Sequence, residues 1–286
     1  VIGARRRAGL LVLVAALALT GAAPAGTFGR GTLEGRAYRV WIPTRLNTER
    51  PLVMALHGCW QTPEDFALGT QLNAAAERRG LVVVYPAQTR RENPYRCWNW
   101  FDPTEQTPTG TETAQILAIA RRTQSERGLR DGRFVVLGFS AGAWMAVNLA
   151  CAAPDAVSGL GALAGGPYRC AGGPEAAIQC MRGGARGRGG TVGPGCGGGR
   201  ITGLRASLWH GALDPVVSAT NLTALEAMLG RVLGVSGGAT TNDEAGAVHA
   251  LYRDARGVPV LETWLVPGMG HAWSGGDARA THTWPA

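Results

Sequence analysis

Residues 134–147 read Phe134-Val135-Val136-Leu137-Gly138-Phe139-Ser140-Ala141-Gly142-Ala143-Trp144-Met145-Ala146-Val147. Four strand-formers run into a Gly-x-Ser-x-Gly pentapeptide, and an apolar stretch of helical composition follows. Strand, sharp serine-bearing turn and helix together are the pattern of a nucleophile elbow. A serine hydroxyl is a poor nucleophile at its own pKa, so it must be held beside a base and beside donors for a developing oxyanion. Gly138 and Gly142 then have a steric purpose, because strand and helix must approach closely around a strained residue. Glycine makes up 43 of 286 residues, so the pentapeptide alone is only moderately specific.

Outward from the elbow, apolar runs read as strands at residues 37–42, 52–56, 81–85, 134–137, 160–163, 204–209 and 260–266. Helical spacing of apolar residues appears over 71–79, 112–127 and 222–233. Strand, helix and strand in alternation predict an α/β fold, a mainly parallel central sheet with helices on both faces. Two stretches read as loops: the glycine-rich residues 182–200, with four arginines and no large apolar side chain, and the small, polar residues 234–246.

The start of the chain has Arg5, Arg6 and Arg7, an apolar run from Leu10 to Leu19, and Ala23-Pro24-Ala25. This predicts a signal peptide over residues 1–25, too short in its apolar part to span a membrane. The expected mature protein is secreted, extracellular or periplasmic, with no membrane anchor after cleavage. It forms one catalytic domain over residues 26–286, since about 260 residues suit a single core. The formal charge of +8 falls to about +5 without the leader arginines, and all 28 basic residues are arginines scattered along the chain. Nucleic-acid binding needs a basic stripe, which is missing. Six cysteines, an even number in an exported chain, predict disulfides, with fifteen full pairings open. No Cys-x-x-Cys or paired-histidine spacing suggests a metal site.

A serine elbow needs a base, and the candidates are His57, His210, His249, His271 and His282. His271 follows the last strong strand, where a loop leaving the C-terminal edge of a parallel sheet can reach the serine; His282 is the fallback, in a tail with little to fix it. Asp214, just beyond the strand ending at Trp209, is placed to orient the imidazole. The order Ser140, Asp214, His271 is that of α/β-hydrolases. The oxyanion donors are expected to be the backbone N–H groups of Ala141, at a helix N-terminus, and of Cys59, in the loop Leu56-His57-Gly58-Cys59-Trp60. His57 lies too early in the chain for a base in this order and is expected to brace that loop. Trp60, Trp98, Trp100 and Trp273 are candidate substrate-binding residues.

These segments together resemble the polyhydroxybutyrate (PHB) depolymerase family of esterases, with relatives among feruloyl and acetylxylan esterases. The resemblance runs from about Gly35 to Gly276. It rests on Leu56-His57-Gly58-Cys59 with Gln61, on Cys97-Trp98-Asn99-Trp100-Phe101, on the serine pentapeptide, on Trp209-His210-Gly211 with Asp214, and on Gly268-Met269-Gly270-His271-Ala272-Trp273. It implies an α/β-hydrolase fold and a serine carboxylic-ester hydrolase with Ser140 as nucleophile, His271 as base, Asp214 as orienting acid and no cofactor. It implies a substrate of polyhydroxyalkanoate chains or oligomers, with feruloyl or acetyl groups on plant polysaccharide as the alternative. It further implies a Cys59–Cys97 disulfide and a Cys170–Cys180 disulfide, and it leaves Cys151 and Cys196 unassigned. Two departures are expected: no linker and polymer-binding domain, and no terminal helix after the histidine loop, so that the sheet face beneath that helix would be bare.

Overall fold

The computed structural model describes residues 26–130, 132–183, 196, 199–244 and 246–285. The expected leader, residues 1–25, and most of the glycine-rich stretch, residues 184–195 with 197 and 198, lie outside the described residues.

The strands in chain order are β1 (Thr27–Leu33), β2 (Arg36–Ile42), β3 (Leu52–Leu56), β4 (Val83–Pro86), β5 (Phe134–Phe139), β6 (Val157–Leu163), β7 (Arg205–Gly211), β8 (Thr240–Glu244), β9 (Ala247–Arg253), β10 (Pro259–Val266), β11 (Trp273–Ser274) and β12 (Thr283–Trp284). The helices are α1 (Pro63–Thr70), α2 (Leu72–Arg79), α3 (Thr111–Arg127), α4 (Ala141–Ala152), α5 (Pro174–Gly183) and α6 (Thr220–Leu233). Ten strands form one sheet in the order β1-β2-β4-β3-β5-β6-β7-β10-β9-β8. The six central strands, β4 to β10 in that order, are parallel, and antiparallel pairs close both sides. The expected α/β architecture is therefore present, with antiparallel edges added.

Burial explains the central strands. All five residues of β3 are buried, Leu52, Met54 and Leu56 joining the core under α3 and α4 while Val53 and Ala55 face the smaller core under α1 and α2. A strand buried on both faces reads as a continuous apolar run rather than an alternation. Helix α4 is buried along almost its whole length, Ala141 to Cys151. The elbow thus sits in the interior of the molecule and not on a peripheral loop.

The structure departs from, or adds to, the sequence reading at several points. Residues 234–246 are not loop throughout, because β8 forms there as an edge strand with all five residues exposed. Its order comes from backbone pairing to β9 and leaves no apolar imprint on the sequence. Helix α1 was not expected either, although Thr62 caps it by accepting the Asp65 N–H at 3.1 Å and Pro63 opens it. Cys151 and Cys196, left unassigned above, are joined, beside the Cys59–Cys97 and Cys170–Cys180 disulfides that the resemblance implied. The bridges span separations of 38, 45 and 10 residues and so restrict the unfolded chain.

Past β10 the chain turns back toward α1: the Trp273 ring packs edge-on against Phe66 at 5.6 Å, and the Asp277 N–H donates to the Gly69 carbonyl at 2.9 Å. Helices α1 and α2 pack on the β2–β4 side of their face. Over β5, β6 and β7 that face carries a cleft of about 300 Å³ lined by Leu137, Gly161, Ser207, Trp209 and Trp273.

The elbow depends on two glycines. A Cβ on Gly142 would lie 2.1 Å from the Leu56 carbonyl oxygen and 2.6 Å from that of His57, and a Cβ on Gly138 would lie 2.2 Å from the Gly142 carbonyl oxygen. These neighbours are backbone and cannot rotate away. Gly142→Ala is expected to cost about 3 kcal/mol or more in urea unfolding, while Gly132→Ala, in open space, stays within about 0.5 kcal/mol of the wild type. Equal stability of the two variants would contradict this account of the elbow.

Candidate active site

Ser140 joins β5 to α4 with φ 54° and ψ −120°, a left-handed conformation rarely adopted by a residue with a side chain. The Ala143 and Trp144 N–H groups both donate to its carbonyl, so the helix itself holds the strained residue. His271 lies in the loop after β10 and Asp214 in the loop after β7. The structure brings all three together: the His271 Nδ1–H donates to Asp214 Oδ2 at 2.7 Å, and Nε2 accepts from the Ser140 hydroxyl at 3.0 Å. The two loops are bound to each other directly. Ala212 N–H donates to the Val266 carbonyl and Leu213 N–H to the Met269 carbonyl, each at 3.0 Å.

The Asp214 side chain is fully buried. Burial alone would raise its pKa, but the hydrogen bond and charge of His271, together with the Val217 and Val216 N–H groups, outweigh burial and hold it below the usual carboxylate range. An ionised acid is what an orienting partner of an imidazole must be. His210 is a neighbour that the motif reading passed over: its Nε2–H donates to the Val217 carbonyl at 2.9 Å and lies 3.6 Å from Asp214 Oδ2. Burial pushes its pKa down, so the ring is a neutral donor there. The signal was present in Trp209-His210-Gly211, four residues before the acid.

The loop carrying Cys59 is fixed from below. His57 is fully buried, its Nδ1–H donating to the Gly58 carbonyl at 2.8 Å while Nε2 accepts the Gln88 N–H at 3.0 Å. Burial lowers its pKa to about 4, so the ring stays neutral as this tautomer requires. His57 therefore occupies the bracing position expected of it. The Trp60 N–H donates to the Tyr95 carbonyl at 2.7 Å, and the Cys59–Cys97 bridge joins the same two segments. Among the described residues no hydrogen bond engages the N–H of Cys59 or of Ala141, so both donors are free.

Not all the aromatic candidates face the site. Trp98 is entirely buried, its Nε1–H donating to the His57 carbonyl at 3.0 Å, and Trp100 is buried and stacks on Trp144 at 4.4 Å. Both lie in the core, and Trp98 supports the loop from there, a placement that does not match the substrate-binding expectation for them. Trp60 is 55% exposed and pairs with the equally exposed Tyr95 at 5.1 Å, while Trp273 is half-buried against Phe66. On the other side, exposed Leu213 and Val216 flank Asp214. Leu213 and Val216 were not among the candidates, and their closeness in sequence to Asp214 was the available signal; Tyr95 adjoins the aromatic block that includes Trp98 and Trp100. His282, the fallback base, bonds neither Ser140 nor Asp214; its ring lies 6.1 Å from that of His271, which occupies the place between them.

The family model for esterase PHB depolymerases matches residues 36–250, three quarters of the chain. The chain belongs to that family. Poly(3-hydroxyalkanoate) depolymerase C of Paucimonas lemoignei is 31% identical over 236 residues, covering 80% of this chain and 56% of that protein. Feruloyl esterase B of Thermothelomyces thermophilus is 29% identical over 139 residues, 48% of this chain and 47% of the relative. The chain thus spans about half the length of these two relatives. Among solved structures, an acetyl xylan esterase from Aspergillus awamori superposes with a TM-score of 0.68 at 18% identity, over 86% of this chain and 94% of that one, a likeness of fold. This chain and that neighbour share the α/β-hydrolase fold.

The His57 pKa gives a test of the bracing role. Its folded value is depressed, so between about pH 6.5 and pH 4 the unfolded chain binds the proton and the folded one does not; stability falls as the pH drops through that window. For one buried ring this amounts to roughly 3 kcal/mol. Urea unfolding at pH 7 and pH 4.5 should show a smaller loss for His57→Asn than for the wild type, and equal losses would remove His57 from this role.

Proposed function

We propose that this family member is a secreted serine ester hydrolase whose catalytic domain includes residues 26–286, cleaving the ester bonds of polyhydroxyalkanoate chains or oligomers. One observation carries the reading: a buried carboxylate, an imidazole and a serine on a strained turn are hydrogen-bonded in line, with two unengaged backbone donors from adjoining segments. Similarity to the depolymerase of P. lemoignei over most of this chain favours a polyester substrate. The three disulfides favour an oxidising compartment, and among the described residues no helix is long and apolar enough to cross a membrane.

In the proposed reaction Ser140 Oγ attacks the ester carbonyl carbon while His271 Nε2 takes the hydroxyl proton. Asp214 holds the resulting imidazolium in place. The Cys59 and Ala141 N–H groups donate to the tetrahedral oxyanion, the second aided by the α4 N-terminus. Collapse breaks the bond to the alcohol oxygen, which receives the proton from His271, and leaves an acyl-enzyme on Ser140. A water then attacks, giving its proton to His271; the acid departs and Ser140 recovers its proton. No cofactor enters any step. Trp60 and Tyr95 on one side, with Leu213 and Val216 on the other, offer apolar contacts to the chain on either side of the scissile bond, and half-buried Trp273 lies two residues beyond His271.

The test is product release by the mature protein and by Ser140→Ala from soluble hydroxybutyrate oligomers, amorphous PHB and methyl ferulate in parallel. Serine-dependent release of hydroxybutyrate is the expected result. Turnover of ferulate alone would transfer the protein to the polysaccharide esterases, a reading that the feruloyl esterase relative supports. Full activity in Ser140→Ala would overturn the mechanism. Asp214→Asn should lower kcat by roughly 10³- to 10⁴-fold with KM little changed, because the imidazole loses its orienting acceptor.

A further inference from the structure

The last described residues bear directly on the active-site loops. Gln61 is buried, and its side chain joins three segments: Oε1 accepts the Gly58 N–H at 2.9 Å, while Nε2 donates to Asp65 Oδ2 at 3.1 Å, to the Thr281 carbonyl at 3.2 Å and to Thr281 Oγ1 at 3.4 Å. Thr281 returns two bonds to α1, from its N–H to Asp65 Oδ1 at 3.2 Å and from its hydroxyl to Asp65 Oδ2. His282 then ties this turn to the base. Its carbonyl accepts the Trp273 N–H at 2.7 Å, two residues beyond His271, and its ring lies 5.9 Å from Phe139. Phe139 in turn lies 4.8 Å from the His271 ring and so close to Gly58 that a Cβ there would meet its Cδ1 at 2.7 Å. His282 holds φ 55°, a conformation that surrounding contacts must enforce.

We propose that Thr281 and His282 are positioning residues that clamp the loop bearing the Cys59 donor to the loop bearing His271, through Gln61 and Asp65 on one side and Phe139 on the other. The proposal rests on the ester-hydrolase reading above. Its physical basis is that the Cys59 N–H has no acceptor of its own, so its direction is set by what holds its neighbours: the His57 ring before it and the Gln61 amide after it. Without the Thr281 hydroxyl, Asp65 loses a donor and the Gln61 amide loses an acceptor. The amide then keeps only the Asp65 carboxylate and the Thr281 carbonyl, its hold on the Gly58 N–H loosens, and the next peptide along, which carries the Cys59 N–H, is less firmly aimed. A donor that meets substrate charge only in the transition state affects kcat more than KM.

Thr281→Val, Thr281→Ser and Asp65→Asn are compared with the wild type well below each melting temperature, using p-nitrophenyl butyrate, a short alkylboronic acid as tetrahedral analogue, and amide hydrogen exchange of residues 57–62. In Thr281→Val and Asp65→Asn, kcat should fall about tenfold with KM within about twofold, and boronate binding should weaken by the same factor. Exchange of the loop should quicken in both, and Thr281→Ser, which keeps the hydroxyl, should behave as the wild type. Unchanged kcat and boronate affinity in Thr281→Val, or equal impairment in Thr281→Ser, would overturn the proposal. Asp65→Asn supplies the same answer if Thr281→Val does not fold. A wild type without esterase activity would overturn the hydrolase reading instead, and the exchange rates would still decide the clamp.

Discussion

The contact on which the rest of the site depends is between backbones: Gly142, at the start of α4, lies against the Leu56 and His57 carbonyl oxygens at the end of β3. That contact seats the helix that carries the Ala141 donor, and it seats the strand end from which the Cys59 loop departs. With no Cβ between them, the two donors are referred to one point. Ser140, one residue before Ala141, must then take a positive φ, because β5 has to turn into a helix already fixed in place. The strain at the serine follows from the packing and is not a separate device.

Beneath the same loop the protein invests in polar burial. Arg36 is 1% exposed, donates to the Ala87 carbonyl at 2.7 Å and to Gln88 Oε1 at 2.9 Å, and lies over the Trp98 ring. Gln88 and Asn99 both donate to Glu112, whose pKa is pushed up by burial against the hydrogen bonds and the Arg36 charge that favour its ionised form. Groups of this kind add little net stability, since desolvation consumes most of their attraction. Their contribution is to geometry. Gln88 supplies the N–H that keeps His57 in one tautomer, and Trp98 bonds the His57 carbonyl, so these two constrain the loop at atoms near Cys59 while the rest of the network holds them in place. Donors that are already aimed need no reorganisation when charge develops.

The parts of this arrangement that could be read from the sequence are those imposed by local sterics or by strand ends. Gly138 and Gly142 are legible because no other residue fits there, and Asp214 and His271 because each follows a continuous apolar run whose C-terminal end must open onto the site. The disulfide between Cys151 and Cys196 was not legible, because pairing depends on how α4 meets a distant segment. Nor was the role of Trp98 and Trp100: an aromatic block beside a cysteine has the same composition whether it faces a substrate or the core, and only the packing of α3 and α4 decides. Strand β8 left no signal because its five side chains all point to water or lie along an edge, so that no burial patterned them. His282 looked unanchored because its partners, Asp65 and Gln61 by way of Thr281, lie more than 200 residues away.

The exposed apolar residues near the site are built on the segments to which the proposed reaction assigns the chemistry. Trp60 follows Cys59 directly, Tyr95 is held to that loop by the Trp60 N–H and the adjacent Cys59–Cys97 bridge, and Leu213 and Val216 flank Asp214. In the proposed reaction, a polymer chain resting on these side chains would therefore press on the donor loop and the acid loop themselves. Binding energy gained far from the scissile ester would then be available to hold the oxyanion donors and the imidazole in register, instead of serving adhesion alone. A small ester that reaches only Ser140 would forgo that contribution. The cost of losing the apolar residues should consequently appear in kcat for long substrates and not for short ones, the pattern that separates a surface coupled to catalysis from one that merely retains the polymer.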